Sequence, residues 1–159
     1  MLRCNLISIG RLKEDYWRKA CEEYEKRLCS FCRFTITELP ESRLPDNPGK
    51  SQILAALETE ADRVLKLTGD SFVAALCIEG ESVSSERMAD LIRTLSLHGT
   101  SEISFIIGSS FGLSDRVKKH ASIRLSMSAM TFPHQLARVM LCEQIYRAFQ
   151  IINHGKYHK

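Results

Sequence analysis

The chain has 159 residues, of which 44% are hydrophobic and 26% are charged, and its formal net charge is +3. This length is typical of one domain that buries its own core, so residues 1–159 are expected to form a single domain. No apolar run reaches the ~18–20 residues of a membrane-spanning helix and no cleavage pattern follows the N-terminal run, so we expect a cytoplasmic protein with no membrane partner.

Short apolar or alternating runs between turn residues predict strands, and apolar residues at helical spacing predict the helices between them. The predicted strands span residues 4–9, 31–39, 71–78, 103–107 and 123–127. The first two predicted helices span residues 14–28 and 51–67. A third is capped by Ser84 or Ser85 and ends at Gly99. A short fourth helix begins at Ser114 and Asp115, and a long fifth helix runs from Gln135 to about Ile152. The proline-rich stretch Pro40–Gly49 is predicted to be a mobile surface loop.

This alternation predicts an α/β fold, with a mainly parallel sheet and helices on both of its faces. In such sheets a ligand lies beyond the carboxyl ends of the strands, which here are residues 76–80, 107–108 and 127–132. The loop Gly108–Gly112 allows the backbone to approach a ligand closely, although strand-end turns use glycine for structural reasons as well.

The six cysteines carry little functional signal, because only Cys29 and Cys32 form a close pair. A zinc site would need a second pair or histidines at ligand spacing, and the sequence has neither. We therefore expect free thiols and no metal site.

The loop after the fourth strand also matches the G-x-S-x-G pattern of a serine hydrolase. Ser110 would then be the nucleophile, Asp115 the acid and His134 the base. The chain is short for that fold and lacks an HGGG-type oxyanion segment, and Asp115 fits better as an acid in the first turn of a helix. The hydrolase is the less favoured alternative.

Several motifs together are similar to those of the RlmH family of SPOUT methyltransferases, and the resemblance covers the full chain. The motifs are Ile7-Ser-Ile-Gly-Arg-Leu-Lys13, Phe105-Ile-Ile-Gly108, Thr131-Phe-Pro-His-Gln135, Glu143-Gln-Ile-Tyr-Arg-Ala148 and the terminal Tyr157-His-Lys159. The resemblance implies methylation of N3 of a pseudouridine in 23S rRNA of the assembled ribosome, with S-adenosylmethionine as the methyl donor. It also implies a homodimer and a C-terminal trefoil knot, a rare exception to the usual chain topology.

Carried over by resemblance, the cofactor contacts fall on one residue of the third strand, one glycine and one loop. They are Leu76, Gly108, Met127, Ser128, Ala129, Met130, Thr131 and Phe132. The family usually has a second glycine after Gly108, where this chain has Ser109. A non-catalytic RNA-binding or nucleotide-binding dimer that has lost cofactor affinity through Ser109 is therefore a second alternative.

The N3–H group of the base must lose a proton, and a histidine suits that role near neutral pH. His158 and His134 are the candidates, and Tyr157 would stack on the base or orient it. Arg147 is a candidate phosphate contact, or it pairs with Glu143 four residues earlier on the helix.

The long helix is apolar nearly all round, which implies a partner subunit, and the short tail would then complete a site across the interface. The mildly basic net charge permits an RNA partner without requiring one. Two interpretations stay open for the basic residues, which either touch RNA phosphates or are solvated. They are Arg116, Lys118, Lys119, His120, Arg124, Lys156 and Lys159.

Overall fold

The computed structural model describes all 159 residues as five strands and five helices in strict alternation. The strands are β1 Arg3–Ile9, β2 Arg33–Leu39, β3 Phe72–Ser82, β4 Glu102–Ile107 and β5 Ile123–Ser126. The helices are α1 Asp15–Leu28, α2 Lys50–Thr68, α3 Ser85–Leu97, α4 Asp115–His120 and α5 His134–Ile152.

The strands form one sheet in the order β2-β1-β4-β3-β5, and every neighbouring pair is parallel. Alternate side chains of β1, β3 and β4 enter two separate cores. On one face Leu6, Ala74 and Phe105 pack with α1, α3 and α5, and on the other Ile7 and Ile106 pack with α2 and α4. The predicted parallel sheet with helices on both faces is confirmed. The C-terminal knot stays a prediction.

The predicted end of the third strand is wrong, because β3 continues past Gly80 to Ser82. Its pairing with β5 shifts register between Leu76 and Glu81. A Cβ at Gly80 would lie 2.6 Å from the backbone carbonyl carbon of Leu125, so the shift depends on the glycine. The glycine therefore marks an irregularity inside the strand and does not end it.

Smaller corrections concern three other boundaries. The second strand begins at Arg33, because the amides of Phe31 and Cys32 bond to the carbonyl of Leu28 and close α1. The strand β5 ends at Ser126, one residue early, and α5 begins at His134 with Pro133 as its N-cap residue.

The predicted helix caps agree with the structure where a serine supplies them. The hydroxyl of Ser84 accepts the amide of Arg87 at the start of α3, and that of Ser114 accepts the amide of Val117 at the start of α4. None of the helices is both long and apolar enough to cross a bilayer. All six cysteines are free thiols.

Candidate functional site

A cleft of about 750 Å³ opens at the carboxyl ends of β3, β4 and β5. It is lined by 22 residues, of which 11 are hydrophobic, and its size and mixed lining are those of a small-molecule site. The prediction that the three strand ends meet at one edge is therefore confirmed. Parallel pairing is the reason, because it brings the carboxyl ends of neighbouring strands together.

Seven of the eight residues expected to contact the cofactor line this cleft. They are Leu76, Gly108, Met127, Ser128, Met130, Thr131 and Phe132. The eighth, Ala129, does not line it and is exposed. The loop that holds most of them turns back on itself, because the hydroxyl of Ser128 accepts the amide of Met130 and that of Ser126 donates to the carbonyl of Ser128.

The glycine loop 108–112 is folded tightly at the floor of the cleft. The amide of Gly112 donates to the carbonyl of Ser109 at 2.9 Å, and Gly112 has a φ of +83°. A Cβ at Gly108 would collide with the carbonyl oxygen of Gly112, so only glycine fits there. Ser109 has no positive φ, and its side chain is buried. The serine at this position therefore fits the loop without backbone strain.

Two polar pairs at the cleft were not predicted from the sequence. Lys118 forms an ion pair with Glu79, and the hydrogen bond from this lysine lowers the pKa of the Glu79 carboxyl. The amide of Ser110 donates to a carboxylate oxygen of Glu41 at 3.3 Å. Residues far apart in the chain form both pairs, so no local pattern could have indicated them.

His134 is the first residue of α5 and lines the cleft. It makes no capping hydrogen bond, and its Nε2 would lie 3.6 Å from a Cβ at Gly10. One turn later the guanidinium of Arg138, 1% exposed, donates to the carbonyl of Gly10 at 2.9 Å and lies 3.2 Å from Glu38. Burial lowers the pKa of Arg138, and Arg138 ties α5 to the end of β1 beside His134.

The C-terminal tail is not frayed but folds back onto α5 and α3. Glu143 is the centre of the contact, because the Tyr157 hydroxyl donates to its Oε1 at 3.1 Å and Arg147 forms an ion pair with the same oxygen. The Arg147 guanidinium lies 4.7 Å from the centre of the Tyr157 ring. Burial and the bond to Glu143 raise the pKa of Tyr157 to about 12, so its hydroxyl stays protonated at neutral pH.

Both ring nitrogens of His158 have partners in this arrangement. Nδ1 is 3.3 Å from Nη1 of Arg147, and Nε2 is 2.9 Å from a carboxylate oxygen of Glu86 on α3. The Glu86 contact was not predicted, because 72 positions separate the two residues. Arg147 forms the ion pair with Glu143 that is the predicted alternative to a phosphate contact.

The four predicted catalytic residues form two groups in one chain. Arg147, Tyr157 and His158 lie together at the tail, while His134 lies in the cleft. Arg147 follows His134 by thirteen residues on α5, which is about 20 Å along the helix axis at ~1.5 Å per residue. A single chain therefore does not bring the tail to its own cleft.

The hydrolase arrangement is not formed. No hydrogen bond joins Ser110, Asp115 and His134: the amide of Ser110 faces Glu41, and Asp115 occupies the first turn of α4. A nucleophile needs its base within hydrogen-bond reach, so the geometry disfavours this alternative.

The basic cluster after the glycine loop is neutralised only in part within the chain. Arg116 pairs with Glu58 and Asp62, and Lys118 pairs with Glu79. Lys119 and Arg124 line a small polar depression next to the cleft and make no ion pair.

The whole chain matches known proteins. A family described as "Predicted SPOUT methyltransferase" matches residues 2–158. The chain is 45% identical to "Ribosomal RNA large subunit methyltransferase H" of Clostridium botulinum, over 99% of the chain and 100% of that protein. It is 46% identical, with the same coverage, to "Putative ribosomal RNA large subunit methyltransferase H" of Methanococcus maripaludis.

A solved structure has a similar fold at low sequence identity. It is the "Probable Methyltransferase from Bordetella pertussis Tohama I", with a TM-score of 0.61, 15% identity, and coverage of 93% of this chain and 95% of that one. With a family match from residue 2 to residue 158 and relatives similar along their entire length, the chain belongs to the SPOUT methyltransferase family.

Proposed function

We propose that residues 1–159 form a single catalytic domain that works as a homodimer in the cytoplasm. It transfers a methyl group from S-adenosylmethionine to N3 of a pseudouridine in 23S rRNA of the assembled ribosome. The observation that carries the proposal is a cleft of mixed lining at three strand ends, in a chain whose Tyr157–His158 tail is held beside Arg147, about 20 Å along α5 from His134. The name of the Clostridium botulinum relative, a ribosomal RNA large subunit methyltransferase, supports the substrate class.

The cleft fits S-adenosylmethionine, the methyl donor of SPOUT methyltransferases. Leu76, Ile107 and Leu125 supply an apolar wall for a flat heterocycle, and loops 108–112 and 126–133 supply backbone polar groups and hydroxyls. The bound donor supplies a methyl group on a sulfonium, which is already a good leaving group. The remaining task of the chain is to orient the base and remove its N3 proton.

Proton removal is assigned to His158, with Tyr157 beside it to stack on the base. Glu86 faces Nε2 of His158 and fixes the ring orientation, while Arg147 faces Nδ1 at 3.3 Å. The ring takes up the N3 proton at Nδ1 when the base displaces Arg147 from that nitrogen. Glu143 holds the phenol of Tyr157 and the guanidinium of Arg147 on one carboxylate oxygen. His134 in the cleft is the second candidate base, and the two histidines are distinguished by the variants below.

The homodimer is supported by an incompletely covered stripe of α5. Leu136 and Met140 are half-exposed and belong to neither core, and Glu143 and Arg147 continue the same stripe at helical spacing. The stripe therefore runs from the cleft to the tail. A two-fold interface that uses it would place the tail of one protomer towards the cleft of the other.

The test is methyl transfer to ribosomes that lack the modification, with the product mapped by mass spectrometry of 23S rRNA fragments. His158→Ala should lower turnover by about 10²–10⁴-fold, the usual contribution of a general base. His154→Asn is the matched control, since this exposed tail histidine has a φ of +55° that asparagine tolerates. If His158→Ala is fully active and His134→Ala is inactive, His134 in the cleft is the general base. If the unmodified protein transfers no methyl group, the proposed function is refuted.

A further inference from the structure

Glu60 on α2 is a buried carboxylate that the proposed chemistry does not use. Its residue exposure is 3%, and no lysine, arginine or histidine forms an ion pair with it. Each oxygen accepts one hydrogen bond, Oε1 from the amide of Ser42 at 2.9 Å and Oε2 from the hydroxyl of Ser109 at 3.2 Å. Burial of an acid without a cation costs free energy, and these two hydrogen bonds offset part of that cost.

One donor lies at the cleft floor, and the other lies in a loop that contacts the cleft floor. Ser109 is part of the glycine loop 108–112 and lines the cleft, and its hydroxyl donates to Glu60 on α2. Ser42 lies in the loop after β2, and the preceding Glu41 accepts the amide of Ser110. Glu60 thus connects the cleft floor and the neighbouring loop to the same point on α2.

The loop 108–112 has few other polar ties to the rest of the chain. Its internal bond runs from the amide of Gly112 to the carbonyl of Ser109, and the contact between Ser110 and Glu41 is exposed and long at 3.3 Å. Ser109 is 7% exposed, and its hydroxyl donates to the carboxylate of Glu60. A hydrogen bond to a carboxylate is stronger than one between neutral groups.

We propose that Glu60 is a positioning residue for cofactor binding, which it serves by fixing the glycine loop 108–112 through the hydroxyl of Ser109. A glycine at position 109 would have no side chain to make the bond. The serine thus adds a tether that a glycine loop lacks. This role rests on the proposed function, because it assigns the cleft to S-adenosylmethionine.

The test uses the full-length protein with Ser109→Ala, Glu60→Ala, Glu60→Gln and the double alanine variant. The first readout is the Kd of S-adenosylmethionine by calorimetry. Each single alanine variant should raise it about tenfold, as expected for a lost bond to a charged group. The double variant should show about the same tenfold rise, because both changes remove one interaction. Glu60→Gln should stay within about threefold, since the amide can accept from Ser42 and donate to Ser109.

The second readout needs no cofactor: hydrogen exchange of the Gly112 amide in the ligand-free protein. Exchange should accelerate in Ser109→Ala and Glu60→Ala but not in Glu60→Gln. Ser104→Ala is the matched control, because it removes a buried hydroxyl that accepts from Ser71. Ser104 lies near the start of β4, the strand that leads into the loop. At saturating cofactor the turnover of Glu60→Ala should equal that of the unmodified protein, because Glu60 does not line the cleft, and this separates positioning from catalysis.

The outcomes separate this inference from the proposed function. An unchanged Gly112 exchange rate in both alanine variants would overturn the tether, and so would Kd effects that multiply in the double variant. If the unmodified protein binds no S-adenosylmethionine, the proposed function fails, whereas the exchange rates still decide whether Glu60 fixes the loop.

Discussion

Removal of residues 154–159 should separate cofactor binding from methyl transfer. In the folded chain this tail contacts α5 around Glu143 and α3 at Glu86. The cleft lies at the start of α5, where His134 is about 14 Å along the helix axis from Glu143. No residue of the tail lines the cleft, so the truncated protein keeps every wall of the cleft.

The expected magnitudes follow from that separation. The Kd of S-adenosylmethionine, measured by calorimetry, should change by less than about twofold, since distant sites perturb each other by only a few tenths of a kcal/mol. Methyl transfer to unmodified ribosomes should fall by about 10²–10⁴-fold for the lost base alone, and further for the lost aromatic contact of Tyr157. Equal loss of binding and turnover would show that the tail supports the fold and not the reaction.

A mixing experiment tests whether the tail acts across a dimer interface. Gly108→Ala should block the cleft, because the added Cβ collides with the carbonyl of Gly112, while His158→Ala leaves the cleft intact. Each variant alone should be inactive. Mixed by unfolding and refolding together, they should recover about a quarter of the activity, since half of the dimers are mixed and each has one complete site. Activity that stays at the level of the separate variants would refute a shared site.

Three further predictions concern the tail, the buried arginine and the glycine loop. The pKa of Tyr157 is raised to about 12, so the stabilisation from its bond to Glu143 is complete below the ordinary pKa of about 10 and is lost as pH rises through about 12. Glu143→Gln should lower the pKa of the Tyr157 phenol towards about 10. A phenolate absorbance titration measures this change, with Tyr157→Phe as the blank. Arg138→Met should lower the free energy of unfolding in urea by about 3 kcal/mol, because it leaves the partly buried Glu38 without its partner. Gly108→Ala should abolish cofactor binding in calorimetry while the far-ultraviolet circular dichroism is kept, and normal binding would show that the loop can move aside.

Much of the fold could be predicted because the signals are local. Apolar runs such as Ile103–Ile107 are strands whatever lies beside them, and serines at Ser84 and Ser114 cap helices through bonds that span three residues. The end of β3 could not be predicted, since Gly80 is a turn signal in sequence but lies against the backbone of β5 in the sheet. Whether a glycine ends a strand or allows a bulge depends on the neighbouring strand.

Some residues of the candidate site could be found from local motifs, whereas their contacts with distant residues could not. The motif around Thr131–Phe132 and the terminal Tyr157–His158 pair were found from their order in the chain, and parallel pairing explains why the three strand ends meet. The partners Glu86 for His158 and Glu60 for Ser109 lie 72 and 49 positions away, so no spacing rule could find them.

By itself the sequence determined the order of strands and helices, the family and the residue types available for binding and proton transfer, because these depend on local pattern and composition. Only the tertiary structure decided that His134 and His158 belong to different ends of α5, and that a buried acid lies behind the cofactor loop. The physical reason is that a helix of 19 residues has a fixed length, and a carboxylate finds its donors only once the chain has packed.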